Sequence, residues 1–233
     1  MAKPRKPRQL LPSPRTRGQA HGEGSAATGP RRLEPKPPAI RRVCLFCGSR
    51  LGERPVYAQA ARELGAALSA HGLDLVFGGA AHGLMGTVAD AMLAQGRAII
   101  GVIPRGLARQ EFAHPRLSQQ HLVDSMHERK ALMEQLSDAV VALPGGFGTL
   151  DELFEALTWA QLGIHRKPLA LLNVDGYFAP LLEWIRRAVA EGFVPHEAGA
   201  LLIVESDAEA LVRRLLDQPP PPFPVRWIST VRR

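Results

Sequence analysis

The chain has 233 residues, 45% of them hydrophobic, enough for one sizeable core, and its apolar runs of about five to eight residues fall well short of the roughly 20 that span a bilayer. Two cysteines are too few for a disulfide-stapled scaffold, and the basic N-terminus has no apolar run behind it, so neither a secreted mini-protein nor a signal peptide fits and a cytoplasmic location is expected. The net charge of +7 suggests nucleic acid, but residues 1–42 hold 11 of the 29 Lys/Arg and only two of the 22 acidic residues, leaving a nearly neutral remainder with 18 basic and 20 acidic groups.

In chain order, residues 1–39 are rich in Pro, Gly, Arg and Ala and nearly devoid of large apolar side chains. Such a segment buries too little surface to offset its ordering entropy, so it reads as a disordered basic tail. That tail is either a basic arm that makes weak electrostatic contact with RNA, DNA or an acidic partner, or a solvated extension. A folded domain is expected over 40–217. Its first strand is 43–47, ended by Gly48; a helix follows over 55–70, with apolar spacing of three and four, and stops at His71-Gly72. Strand 73–77 is cut by Gly78-Gly79, helix 84–95 closes at Gly96, and strand 98–103 ends at Pro104. After a looser stretch come helix 126–136, strand 139–143, helix 150–162, strand 169–172, helix 177–190, strand 201–204 and helix 207–216. Residues 218–233 form a Pro-rich C-terminal tail in which Phe223, Trp227 and Ile228 are apolar enough to dock on a surface.

Short apolar strands alternating with helices indicate an α/β fold, a Rossmann-like doubly wound parallel sheet with helices on both faces. Ligands of such sheets sit beyond the carboxyl ends of the strands. That rule selects Gly48-Ser49, the Gly78–Gly83 loop with Gly79, Pro104-Arg105, and the turn Pro144-Gly145-Gly146-Phe147-Gly148-Thr149.

The last of these is the strongest signal. A buried strand runs into a glycine turn and then a helix, whose free N–H groups and positive dipole end attract an anion. Three glycines in four residues exceed what a helix cap requires, and the Thr149 hydroxyl either caps the helix or touches a phosphate oxygen. The turn is not a Walker A loop, because no Lys-Ser/Thr follows it. Glu152, just inside the helix, reads as dipole-favoured structure, as a general base, or as a negative charge facing a developing cation; Arg129 in Met126-His127-Glu128-Arg129-Lys130 is its natural partner. Cys44 and Cys47 point to opposite strand faces and read as small core hydrophobes. The histidines show no zinc spacing, so no metal and no cofactor are expected; His82 and His127 read as cleft-wall residues. Ser49 lacks a nucleophile elbow. Leu153, Phe154, Leu157 and Trp159 read as core or subunit interface.

Taken together, the 144–152 and 126–130 segments resemble the paired signatures of the LOG (Lonely Guy) family, cytokinin riboside 5′-monophosphate phosphoribohydrolases long labelled lysine decarboxylase-like. The resemblance extends through Phe46-Cys47-Gly48-Ser49, Gly78-Gly79, Gly83-Leu84-Met85-Gly86, 158–165 and 172–177, and so covers roughly 43–195. It implies hydrolysis of the N-glycosidic bond of a nucleoside 5′-monophosphate, an N6-modified or plain adenosine nucleotide, to free base and ribose 5-phosphate. It implies Arg129 and Glu152 as the catalytic pair. Gly48, Ser49, Gly79, Glu111, Arg129, Lys130 and Gly145 to Thr149 (Gly145, Gly146, Phe147, Gly148, Thr149) would bind substrate, and the protein would be a homodimer. Two features depart from the family pattern: Ala80-Ala81-His82 in the second glycine loop, and Asp151 in place of a frequent Glu. The alternative is a non-catalytic nucleotide-binding or carrier protein of the same fold. The decarboxylase label would require a pyridoxal-phosphate lysine, for which Lys130 is the near-cleft candidate.

Overall fold

The computed structural model describes residues 40–108 and 113–217. The two expected tails and Glu111 lie outside the described residues.

Seven parallel strands form one sheet: β1 (Arg42–Phe46), β2 (Asp74–Phe77), β3 (Ile99–Pro104), β4 (Gln119–Val123), β5 (Ala139–Ala142), β6 (Leu169–Leu172) and β7 (Leu202–Glu205). Their spatial order is β4-β3-β2-β1-β5-β6-β7. The central strands are buried on both faces, which is why VCLF and AVVA read as unbroken apolar runs rather than alternating ones. Cys44 pairs with Val140 and Phe46 with Ala142, so β1 and β5 end level at their carboxyl ends.

The helices are α1 (Pro55–Ala70), α2 (Gly83–Ala94), α3 (Arg105–Ala108), α4 (Met126–Gln135), α5 (Phe147–Leu162), α6 (Ala179–Ala190), α7 (His196–Gly199) and α8 (Ala208–Asp217). One face of the sheet packs against α1, α2 and α8 through Leu64, Leu68, Val88, Met92, Leu211 and Leu215. The other packs against α4, α5 and α6 through Met133, Leu153, Ala156 and Leu181, with Phe178 buried just ahead of α6. Helix starts follow local chemistry: Pro55 opens α1, and the Ser125 hydroxyl accepts the Glu128 N–H at 3.1 Å to cap α4. Gly163, at φ +75°, ends α5.

Strand β4 falls in what reads from sequence as a looser stretch. It is an edge strand, Gln-Gln-His-Leu-Val, with only Val123 buried, so it carries no apolar run to betray it. The short helices α3 and α7 also escape the sequence pattern. Cys44 and Cys47 are buried and unpaired, in the cores on opposite faces of the sheet, as their spacing requires. No helix among the described residues is long and apolar enough to cross a membrane.

Candidate active site

The chain leaves β1 toward one half of the sheet and β5 toward the other, so the ends of these neighbouring strands bound a crevice. A cleft of about 490 Å³ opens there, lined by Cys47, Gly48, Ser49, Gly78, Gly79, Ala80, Met85, Ile103, Leu107, Arg129, Gly146, Phe147, Gly148, Thr149 and Glu152. The strand-end rule therefore brings four separate loops together.

Hydrogen bonding beyond the strands fixes the floor. Leu143 N–H donates to the Phe46 carbonyl at 2.9 Å and Gly48 N–H to the Pro144 carbonyl at 3.0 Å, which lays the β1 loop along the glycine turn. A Cβ on Gly145 would overlap the Thr149 hydroxyl and come within 2.8 Å of Gly48 N, so only glycine fits. Gly146 is the N-cap of α5 and offers no side-chain cap; no acidic residue stands in the first turn. The Phe147, Gly148 and Thr149 amides thus open the helix without intrahelical acceptors and without a carboxylate of their own. Thr149 is not the N-cap: the helix begins three residues earlier than its apolar periodicity indicates, because glycines and an exposed Phe carry no burial pattern, and the buried Thr149 packs inside the first turn.

Glu152 lies one turn further along the same face, with its side chain 9% exposed. Arg129 approaches from α4, with Nη2 3.5 Å from Glu152 Oε1 and its own side chain 11% exposed. The guanidinium rests on Gly78, where a Cβ would overlap Nη2, and its Nε is buried without a hydrogen-bond partner. Burial pushes the Glu152 carboxyl up to about 7; Arg129 and Lys130 oppose that rise, while Asp151 and Glu155 reinforce it. The cleft thus holds a carboxyl poised to change charge near neutrality beside a fixed cation.

Not every expected residue reaches the cleft. Lys130 lies outside it, 10% exposed, its ammonium donating to Asp151 at 3.0 Å and ion-paired with Glu155. Gly145 supports the floor from behind. His82 and His127 are not among the cleft-lining residues, and Arg105 pairs with Asp124 at 2.8 Å instead. Leu153 is core, whereas Phe154, Leu157 and Trp159 are only partly buried. Gly78 and Met85 fall in the second glycine-rich loop that the sequence points to, whereas Cys47, Ile103 and Leu107 line the cleft without having been singled out for it. Cys47 and Ile103 sit at strand ends, the one signal that points to them; Leu107 is an ordinary apolar helix residue whose inward aim only the fold sets.

A crevice at the reversal of strand order, with a helix N-terminus at its floor, makes this chain a Rossmann-like α/β protein. Solved structures of the molybdenum cofactor binding protein from Rippkaea orientalis (21% identity, TM-score 0.58, 75% of this chain and 94% of that one) and the molybdenum cofactor carrier protein from Chlamydomonas reinhardtii (20%, 0.58, 77% and 99%) share the fold. The family model described as possible lysine decarboxylase matches residues 85–215. A cytokinin riboside 5′-monophosphate phosphoribohydrolase of Oryza sativa subsp. japonica is 48% identical over 181 residues, 78% of this chain and 75% of its own length. One from Arabidopsis thaliana is 48% identical over 78% of this chain and 83% of its own, and a probable one from rice reaches 51% over 78% and 80%. The chain belongs to the family of the cytokinin riboside 5′-monophosphate phosphoribohydrolases.

Proposed function

We propose that this protein is an N-glycosidase that hydrolyses adenosine 5′-monophosphates, N6-modified ones included, to the free base and ribose 5-phosphate. The observation that carries the reading is the shared helix: the free amides of Phe147 to Thr149 and the buried Glu152 face one cleft from successive turns of α5. Four residues at 1.5 Å rise separate the Gly148 and Glu152 positions by about 6 Å. That is the order of the distance between phosphorus and the anomeric carbon within ribose 5-phosphate. A monoester dianion on the amides therefore sets the sugar against the carboxylate, and the phosphate supplies remote binding energy that orients the reacting carbon.

Breaking the C1′–N bond sends its electron pair to the base and leaves positive charge on the ribose, as in other glycosidic cleavages. Ionised Glu152 stabilises that charge and orients the water that adds to C1′; the water's proton ends on the departing base or in solvent. Arg129 holds Glu152 in place and offsets phosphate charge. Gly48, Ser49 and Gly79 form the walls against ribose and base. A carrier without turnover has no use for a buried carboxylate beside the sugar. The decarboxylase description fits poorly, since Lys130 is engaged by two carboxylates outside the cleft and no lysine lines it among the described residues.

A homodimer is supported by the half-exposed Leu162, Ile164 and Trp184 on and beside α5 and α6. A reducing, cytoplasmic setting suits the two unpaired cysteines. Incubation with AMP and with N6-isopentenyl-AMP, followed by chromatography for free base, tests the activity; base release is expected, and its absence from both overturns the reading. Glu152→Ala should abolish turnover while nucleotide still binds, and unchanged turnover removes Glu152 from the mechanism.

A further inference from the structure

The Gly145-Gly146 segment has no side chain with which to hold its own orientation, and glycine peptides rotate more freely than any others. One group outside the cleft constrains it: the Tyr177 hydroxyl donates to the Gly145 carbonyl at 2.6 Å. Every described peptide bond is trans, and across a trans peptide the C=O and the following N–H point in opposite directions. With the Gly145 oxygen drawn toward Tyr177, the Gly146 N–H is turned the other way. Gly146 lines the cleft and Gly145 does not.

Tyr177 is itself fixed by a construction remote from the chemistry. Its ring meets Tyr57 edge-on at 5.7 Å and Phe178, which is buried, at 4.9 Å. The chain enters Tyr177 through Asp175 at φ +47° and Gly176 at φ +74°. Asp175 is the only described non-glycine residue with positive φ, a conformation that persists where surroundings enforce it. Arg54 ion-pairs with Asp175 and lies over the Tyr57 ring, tying the loop after β6 to the start of α1. Tyr177 N–H donates to the Val174 carbonyl at 3.0 Å and Phe178 N–H to Asn173 Oδ1 at 2.8 Å.

From this geometry we infer that Tyr177 is a positioning residue of the phosphate site: its hydroxyl sets the Gly145–Gly146 peptide so that the Gly146 N–H joins the amides of Phe147 to Thr149 in holding the substrate's monoester. The inference rests on the reading of that turn as the phosphate site. Tyr177 touches no substrate atom and acts only through the peptide it orients. Because the ring is half-exposed, water can partly replace the lost hydroxyl contact, so a several-fold effect is expected rather than complete loss.

The test compares wild type, Tyr177→Phe and Tyr57→Phe as full-length protein. Inorganic phosphate binding is measured by calorimetry, kcat and KM are measured with AMP, and melting temperature is followed. Tyr177→Phe should weaken phosphate binding and raise KM by roughly five- to tenfold, with kcat within about twofold and melting nearly unchanged. Tyr57→Phe, which removes a neighbouring hydroxyl that does not reach the turn, should bind phosphate as wild type does. Unchanged phosphate affinity in Tyr177→Phe, an equal loss in Tyr57→Phe, or a fall in kcat at constant KM overturns the assignment. If wild type binds phosphate but releases no base, the enzymatic reading fails while the calorimetry still judges Tyr177.

Discussion

Replacing Glu152 with Gln should stabilise the protein at pH 8 even as it removes the carboxylate assigned to the chemistry. The folded structure raises this carboxyl from 4.5 to about 7, chiefly by burial and in spite of Arg129 at 3.5 Å. Between these values the folded chain keeps a proton that the unfolded chain has released, so stability falls as pH rises across that window and levels off above it. The ionised group therefore costs the folded state about 3 kcal/mol at pH 8 and under about 1 kcal/mol at pH 5. Attraction to Arg129 is already contained in that balance, and a Gln oxygen can still accept from the guanidinium. For a domain of this size about 3 kcal/mol corresponds to roughly 6–12 °C in melting temperature. Thermal melts of wild type and Glu152→Gln at pH 5, 6, 7 and 8 should show the variant well ahead at pH 8 and the gap closing toward pH 5. A variant that melts at or below wild type at pH 8, or a gap that does not change with pH, would refute the account of Glu152 as a desolvated carboxyl.

The same titration sets the pH dependence of turnover: if Glu152 works ionised, kcat/KM should climb with pH through about 7 and flatten above it, and full activity at pH 5.5 would contradict that role. Gly78→Ala puts a methyl where the Arg129 guanidinium rests. Since the obstructed atoms are the end of a flexible side chain, melting should stay within about 2 °C while kcat/KM drops roughly tenfold to a hundredfold. Lys130→Met leaves Asp151 and Glu155 on α5 without their shared cation. It should destabilise the fold by about 1–3 kcal/mol in denaturant titrations, and move the acidic limb of the rate profile to higher pH, because Lys130 normally holds the Glu152 carboxyl down.

The residues themselves disclose most of the architecture. Apolar runs such as Val43–Cys47 and Ala139–Leu143 read as buried strands because in a parallel sheet both faces of a central strand are covered, a condition that leaves its mark on every position. The glycine turn is legible for a similar reason: Gly145 has no room for a Cβ between Thr149 and Gly48, and such constraints admit one residue type. Arg129 and Glu152 are visible as candidates, but only as two charges 23 positions apart. What the sequence alone determined was the layered α/β class and the glycine turn that opens α5, since periodicity and glycine placement are local responses to burial and backbone geometry. Only the tertiary structure decided that Arg129 rests on Gly78 and faces Glu152, that Lys130 is spent on Asp151 and Glu155, and that Tyr177 reaches back 32 residues to Gly145. The edge strand β4 escaped notice for the converse reason: half exposed, it is under little pressure to be apolar. Partnership between side chains is fixed by how helices dock on the sheet, and distant residues carry no trace of that docking in their own local pattern.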